Sequence, residues 1–204
     1  MSWFRRTPLA AARWVVVDCE TSGLNPKQDR LLSVAAVEVA AERIAAGRAY
    51  AAVLQQQEPS RVDNILVHGL GGEAQLGGDP ASQVLQELAV FMNDAIPVAF
   101  HAPFDKAVLA RAFAQSGAPA RRRRWLDLAV LAPVLFPDRK AQDLDSWLAA
   151  FAIECASRHE ALSDAYATAQ LLLVMLGKAR SEGVATAEAL IRLASSAAWL
   201  PARR

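Results

Sequence analysis

The chain has 204 residues, 53% hydrophobic and 21% charged, with a formal net charge of +1. This composition excludes a disordered chain and suits one domain with a substantial core. No overall basic field announces a polyanionic partner, so nucleic acid would have to be met by local groups or by metal ions. Cys19 and Cys155 are the only cysteines. They read as packed thiols, not a disulfide framework, and no Cys/His cluster has zinc spacing. The apolar piece before Arg13 is too short for a signal-peptide core, and no run approaches a membrane span. A soluble cytoplasmic protein is expected.

In chain order, three strand-like pieces come first, at about Arg13–Glu20, Leu31–Ala40 and Arg48–Gln56. Their short connections predict antiparallel neighbours. Within the first, "VVVDCE" carries β-branched residues into two acids one residue apart. Alternation along a strand puts Asp18 and Glu20 on one face and Cys19 on the other. Two carboxylates so placed repel each other unless cations neutralise them or one takes up a proton. A glycine-rich loop follows from Pro59 to Pro80, with room for a helical turn. Helical spacing then appears at Ala81–Ala95, after Asp79-Pro80 as a start signal. A brief buried strand is expected at Pro97–Phe100, and helices at Phe104–Gln115, Leu126–Phe136, Leu144–Phe151, Ala161–Leu176 and Thr186–Trp199. The order predicts an α/β domain whose mixed sheet is covered by helices.

Two further acids have informative company. Asp105, in "HAPFD", falls in the first turn of a helix after a strand, where ligand sites of open α/β sheets gather. In "SRHEALSDA", His159 precedes a helix and Asp164 lies inside it. Ala161, Ala165 and Ala169 give that helix a small-residue face for close packing. Each feature alone has an ordinary structural explanation. Together, Asp18, Glu20, Asp105 and Asp164 supply four carboxylates from three segments, hard oxygen ligands that suit Mg²⁺ or Mn²⁺. Four negative charges balance two divalent cations, the arrangement that clamps an in-line phosphoryl displacement. His159 is of the residue type that most often serves as a general base.

The motifs "DCETSGL", "HAPFD" and "HEALSDA", in this order, resemble the DnaQ-like, or DEDDh, 3′–5′ exonuclease family, which includes the proofreading subunit of bacterial DNA polymerase III and RNase T. The resemblance runs from about Trp14 to Leu176. It implies an RNase H-like mixed five-stranded sheet, three antiparallel strands first, flanked by helices. It divides the chain into an N-terminal extension (1–12), an exonuclease domain (13–180) and a C-terminal helix and tail (181–204) packed on or extending the domain. It implies that Asp18, Glu20, Asp105 and Asp164 hold two Mg²⁺ or Mn²⁺ ions and that His159 is the general base. Thr21, Gly23 and Leu24 would meet the terminal nucleotide, Leu24 as an apolar wedge. His68 and Leu70 of "VHGL" would line its pocket, with His101 and Phe104 nearby. His101 stands where the family usually has Asn.

The function so implied is hydrolysis of the 3′ end of single-stranded nucleic acid, DNA in preference to RNA, releasing nucleoside 5′-monophosphates. The alternative is an inactive nuclease-fold module that binds nucleic acid or serves a polymerase. A polymerase catalytic subunit is one expected partner and a second copy of the chain another. The apolar face of the last helix (Leu190, Ile191, Leu193, Trp199) reads as either core or dimer contact. The absence of a long tail leans toward a stand-alone enzyme. The run Arg121–Arg124 reads first as a solvated loop and second as a phosphate contact, and Trp125 and Leu126 as a short fifth strand.

Overall fold

Trp14 to Val17 are buried on both sides of the strand that contains them, the pattern of a central strand covered on both faces. The computed structural model describes residues 7–197. That strand, β1 (Arg13–Thr21), pairs antiparallel with β2 (Leu31–Ala40), which pairs antiparallel with β3 (Arg43–Val53). On its other side β1 runs parallel to β4 (Ile96–Ala99), and β4 to β5 (Leu126–Asp127). Among the described residues these five strands form one mixed sheet, in the order β3-β2-β1-β4-β5. The expected fold class therefore holds.

Alternation along β1 divides the core. Trp14 and Val16 join the larger cluster, beneath α5 (Leu128–Leu135), α7 (Ala161–Ser181) and α8 (Ala187–Ala197). Val15 and Val17 join the smaller one, beneath α3 (Ala81–Met92) and α4 (Ala102–Ser116). Ala161, Ala165 and Ala169 are all buried, and α7 lies on β1 and β2. Small side chains there let the helix approach the sheet closely. That approach sets how near the start of α7 comes to the end of β1.

Several boundaries differ from the sequence reading. The strand β3 begins at Arg43, not Arg48, because Ala41 and Glu42 (φ 50° and 55°) make a tight two-residue turn without glycine. Positive φ at both central residues matches the twist of a hairpin, and Asn-Gly is its usual signal; here that signal is missing. Gly47 (φ 71°) instead takes up an irregularity in the β2–β3 pairing. The glycine-rich loop contains two short helices, α1 (Val62–His68) and α2 (Gly72–Leu76). Leu126 and Asp127 are strand, and the helix expected from Leu126 starts at Leu128, with Asp127 as its N-cap. The remaining helix, α6 (Leu144–Ala150), lies near its expected place, and α7 continues to Ser181.

The two ends of the described chain are joined. Ala187 N–H donates to Thr7 O (2.9 Å) and Leu9 N–H to Ala185 O (3.1 Å). Leu190 and Ile191 are buried in the larger cluster, so this part of the last helix is core; Trp199 lies outside the described residues. No helix among the described residues is long and apolar enough to cross a membrane.

Candidate active site

At the end of β1 the alternation that buries Val16 on the α7 side carries Asp18 and Glu20 to that same side. Asp164 enters from the first turn of α7. One oxygen each from Asp18, Glu20 and Asp164 lie within 4.8 Å of one another. Asp105, in the first turn of α4, is buried on the other flank and outside this compact trio, beside Cys19 and near enough to act on Asp18. All four sequence-predicted acids therefore gather at one end of the sheet, three closely and the fourth adjacent.

Their electrostatics follow from that crowding. Burial, then the charges of Asp105, Glu20 and Asp164, push Asp18 well above the ordinary carboxylate range, and Arg158 offsets part of this. Glu20 is pushed up to about 7, by burial first and then by Asp164, with Arg158 opposing. Asp105 rises to about 7, again chiefly from burial, with Asp127 adding and Cys19 pulling it back. Carboxylates crowded and buried in this way favour a cation beside them, a role that Arg158 fills in part. The donor set is all oxygen, which fits hard divalent cations such as Mg²⁺ or Mn²⁺.

Asp164 is the most heavily bonded of the four. Its Oδ2 accepts the His159 N–H (2.8 Å) and its Oδ1 the Cys155 thiol (3.3 Å). The Arg158 guanidinium also donates to Oδ1 and reaches Asp145 with its Nε. His159, with φ 60°, precedes α7, and its ring is exposed while its backbone is fixed to Asp164. Both cysteines pack against the core clusters as expected, Cys19 on the smaller and Cys155 on the larger, and they also touch the site. Each is half-buried, and each thiol lies against a site carboxylate, Cys19 on Asp105 and Cys155 on Asp164.

The predicted nucleotide contacts fall into two groups. Leu24 is 92% exposed at the tip of the turn after β1. That turn is built by Asp29, which accepts from Asn25 N (2.7 Å), and by the Thr21 hydroxyl donating to Gly23 O (2.6 Å). A Cβ on Gly23 would stand 2.6 Å from the Asp29 carboxylate, so a larger residue there would push aside the side chain that builds the turn. His68, by contrast, is buried, and both its ring nitrogens are used within the chain. Nδ1 accepts from Leu70 N (2.9 Å), and Nε2 meets Asn64 Oδ1 (2.9 Å). Asn64 in turn donates to Thr21 O (3.0 Å), so α1 is strapped to the end of β1. A cleft of about 510 Å³, lined by Glu20, His68, Leu70, Gly78, Glu160 and Leu162, opens beside the acids. Phe104 is half-buried on the smaller core cluster.

His101 is exposed, in the left-handed region (φ 63°, ψ 47°) immediately before α4, and its N–H donates to Asp127 Oδ1 (3.1 Å). Asn, Asp and His are the non-glycine residues enriched in that region. The backbone thus explains why His can stand where Asn is usual. Arg121 pairs with Asp94 (2.9 Å), and Arg123 donates to Ala95 O (3.1 Å) beyond the end of α3; Arg122 and Arg124 are exposed. Sequence reasoning missed Asn64, Asp127, Cys155 and Arg158. Only Asn64 carried a signal, its spacing of four from His68 on a helix.

Known proteins resemble this chain in sequence and in fold. The exonuclease family model matches residues 15–172. An epsilon-like DNA polymerase III subunit protein of Rhodobacter capsulatus is 31% identical over 91% of this chain and 27% of its own length. A PolC-type DNA polymerase III of Halalkalibacterium halodurans is 30% identical over 87% of the chain but 12% of its own length. The chain thus spans about a quarter or less of these relatives. Among solved structures, Escherichia coli exonuclease I with a dT13 oligonucleotide has a TM-score of 0.72 at 16% identity, over 84% of this chain and 42% of that one. Exonuclease X with 5′-overhanging duplex DNA has a TM-score of 0.67 at 22% identity, over 89% and 99%. With its three acid-bearing motifs inside the matched region, the chain belongs to the exonuclease family.

Proposed function

We propose that the protein is a metal-dependent 3′–5′ exonuclease that removes nucleoside 5′-monophosphates from single-stranded ends, with DNA the preferred substrate. The observation that carries this reading is the convergence of Asp18, Glu20 and Asp164 within 4.8 Å, flanked by Asp105 and by a His159 whose backbone N–H is bonded to Asp164. The four carboxylates would hold two Mg²⁺ or Mn²⁺ ions. Such ions supply concentrated positive charge where negative charge develops on phosphoryl oxygens.

The chain's own residues account for the remaining work. His159, exposed at the lip of the site, accepts the proton of the attacking water. Water oxygen bonds to phosphorus, the bond to the penultimate nucleotide's 3′-oxygen breaks, that oxygen is protonated, and the terminal nucleotide leaves with its 5′-phosphate. Leu24 offers an apolar surface to a terminal base. The cleft between Leu70 and Leu162 has the size of a small ligand site. Gly23, Thr21 and buried His68 keep the wall and turn in place. His101 and Phe104 border the Asp105 side. Relatives named as polymerase III components suggest a polymerase catalytic subunit as partner and the cytoplasm as location.

Incubating a radiolabelled single strand with Mg²⁺ or Mn²⁺ tests the proposal. Wild type should release mononucleotide 5′-phosphates, and Asp18→Ala should lose at least about 100-fold of that rate. Binding without release, or equal release by the variant, would instead favour a nuclease-fold binding module.

A further inference from the structure

Arg158 stands one residue ahead of His159, in the segment between α6 and α7. Its guanidinium is forked between two carboxylates, with Nη1 on Asp164 Oδ1 and Nε on Asp145 Oδ1. The two anchors differ in kind. The Asp164 side chain is 5% exposed and faces Asp18 and Glu20, whereas that of Asp145, on α6, is 66% exposed and lies outside the trio. Among the described residues, Arg158 is the cation that ion-pairs with a member of the trio. It occupies Oδ1, one of the two oxygens with which Asp164 can face a cation.

We propose that Arg158 is an exchangeable internal counter-ion: it neutralises the carboxylate cluster when divalent ions are absent and yields Asp164 to them when they bind, while Asp145 retains it. The inference rests on the metal-dependent reading of this site. Without a nearby cation, acids this close would repel one another and loosen the junction of β1 with α7. A permanently bound guanidinium, however, would subtract from the charge available to the ions. The fork resolves this conflict, because losing one leg leaves the other on a solvated carboxylate. Oδ2 of Asp164 stays on the His159 N–H, so the exchange need not release the general base. Arg158 is thus a positioning residue, and it sets how tightly metal is held.

Mn²⁺ binding without nucleic acid, followed by calorimetry for wild type, Arg158→Met and Arg158→Lys, distinguishes this from a permanent structural ion pair. Arg158→Met should bind Mn²⁺ about tenfold more tightly, melt at lower temperature in EDTA and gain more stability on adding metal. Arg158→Lys, with the charge but no fork, should lie between. In wild type, the Arg158 Nε–H resonance should shift as Mg²⁺ is titrated, a readout that does not depend on any variant folding. Equal Mn²⁺ affinities, or an Arg158 resonance that Mg²⁺ does not move, overturns the counter-ion role and leaves the metal-dependent reading intact. Failure of wild type to bind Mn²⁺ at all removes both.

Discussion

Asp18 is where the central strand meets the chemistry. Its position on β1 also made it legible, because i, i+2 alternation on a buried strand needs only local sequence. The same logic placed Glu20. What local sequence did not carry is which other charges arrive. Arg158 sits among polar neighbours and reads as surface, and its role depends on a carboxylate brought in by α7. The crowding has a measurable consequence. Glu20 and Asp105 hold their protons up to about 7 when folded, and Asp18 also holds its proton above the ordinary range. Between about 4, where such carboxyls ionise unfolded, and about 7, the native chain therefore binds more protons. Stability in EDTA should fall as pH rises through that window and level off above it. Thermal melts across the range check this: Asp18→Asn should flatten the slope, and saturating Mg²⁺ should abolish it. Leu24→Ala, at a side chain that touches nothing it must support, should leave the melting temperature unchanged. It should raise KM severalfold with little change in kcat, as steady-state kinetics on a single strand would show.

At the scale of elements, the strands and long helices follow their hydrophobic periods, whereas the cleft wall does not. The helices α1 and α2 are too short for periodicity to register, and their glycines read as loop. A buried glutamine holds them. Gln75 accepts from Ser60 N (2.8 Å) and donates to Ser60 Oγ (3.0 Å) and Leu70 O (2.8 Å). Nothing in the local sequence marks Gln75 as internal, because its partners lie on either side of two turns. Gln75→Ala should cost about 2–3 kcal/mol by urea denaturation, and its KM should rise more than its kcat falls. Gly78 closes the same wall against β3: a Cβ there would stand 2.7 Å from Val53 O. Gly78→Ala should therefore resemble Gln75→Ala in kinetics although the two share no hydrogen bond.

Over the whole molecule, the sheet separates stability from chemistry by its length. At the end opposite the acids, Arg13 pairs with buried Glu38 (2.6 Å), which Arg48 also meets (3.1 Å). Arg13 further donates to Phe91 O (2.7 Å) and Met92 O (3.1 Å), tying the end of α3 to β1. Arg13→Ala leaves Glu38 without its main partner and should cost about 3 kcal/mol, with kcat/KM unchanged below the melting transition. The overall strand order was accessible from the sequence because the motifs fixed a family. The hairpin at Ala41–Glu42 and the docking of Thr7 and Leu9 on the start of α8 were not, since neither uses residues with a turn or pairing signature.

The central claim is that these gathered acids and His159 cut nucleic acid from its 3′ end, and the polarity of digestion tests it most directly. A 5′-labelled single strand and a circular single strand are incubated with Mg²⁺ and sampled over time. Digestion from the 3′ end should give a ladder of 5′-labelled products that shorten progressively, with the circle intact. Early release of the label as mononucleotide, or cutting of the circle, would contradict it.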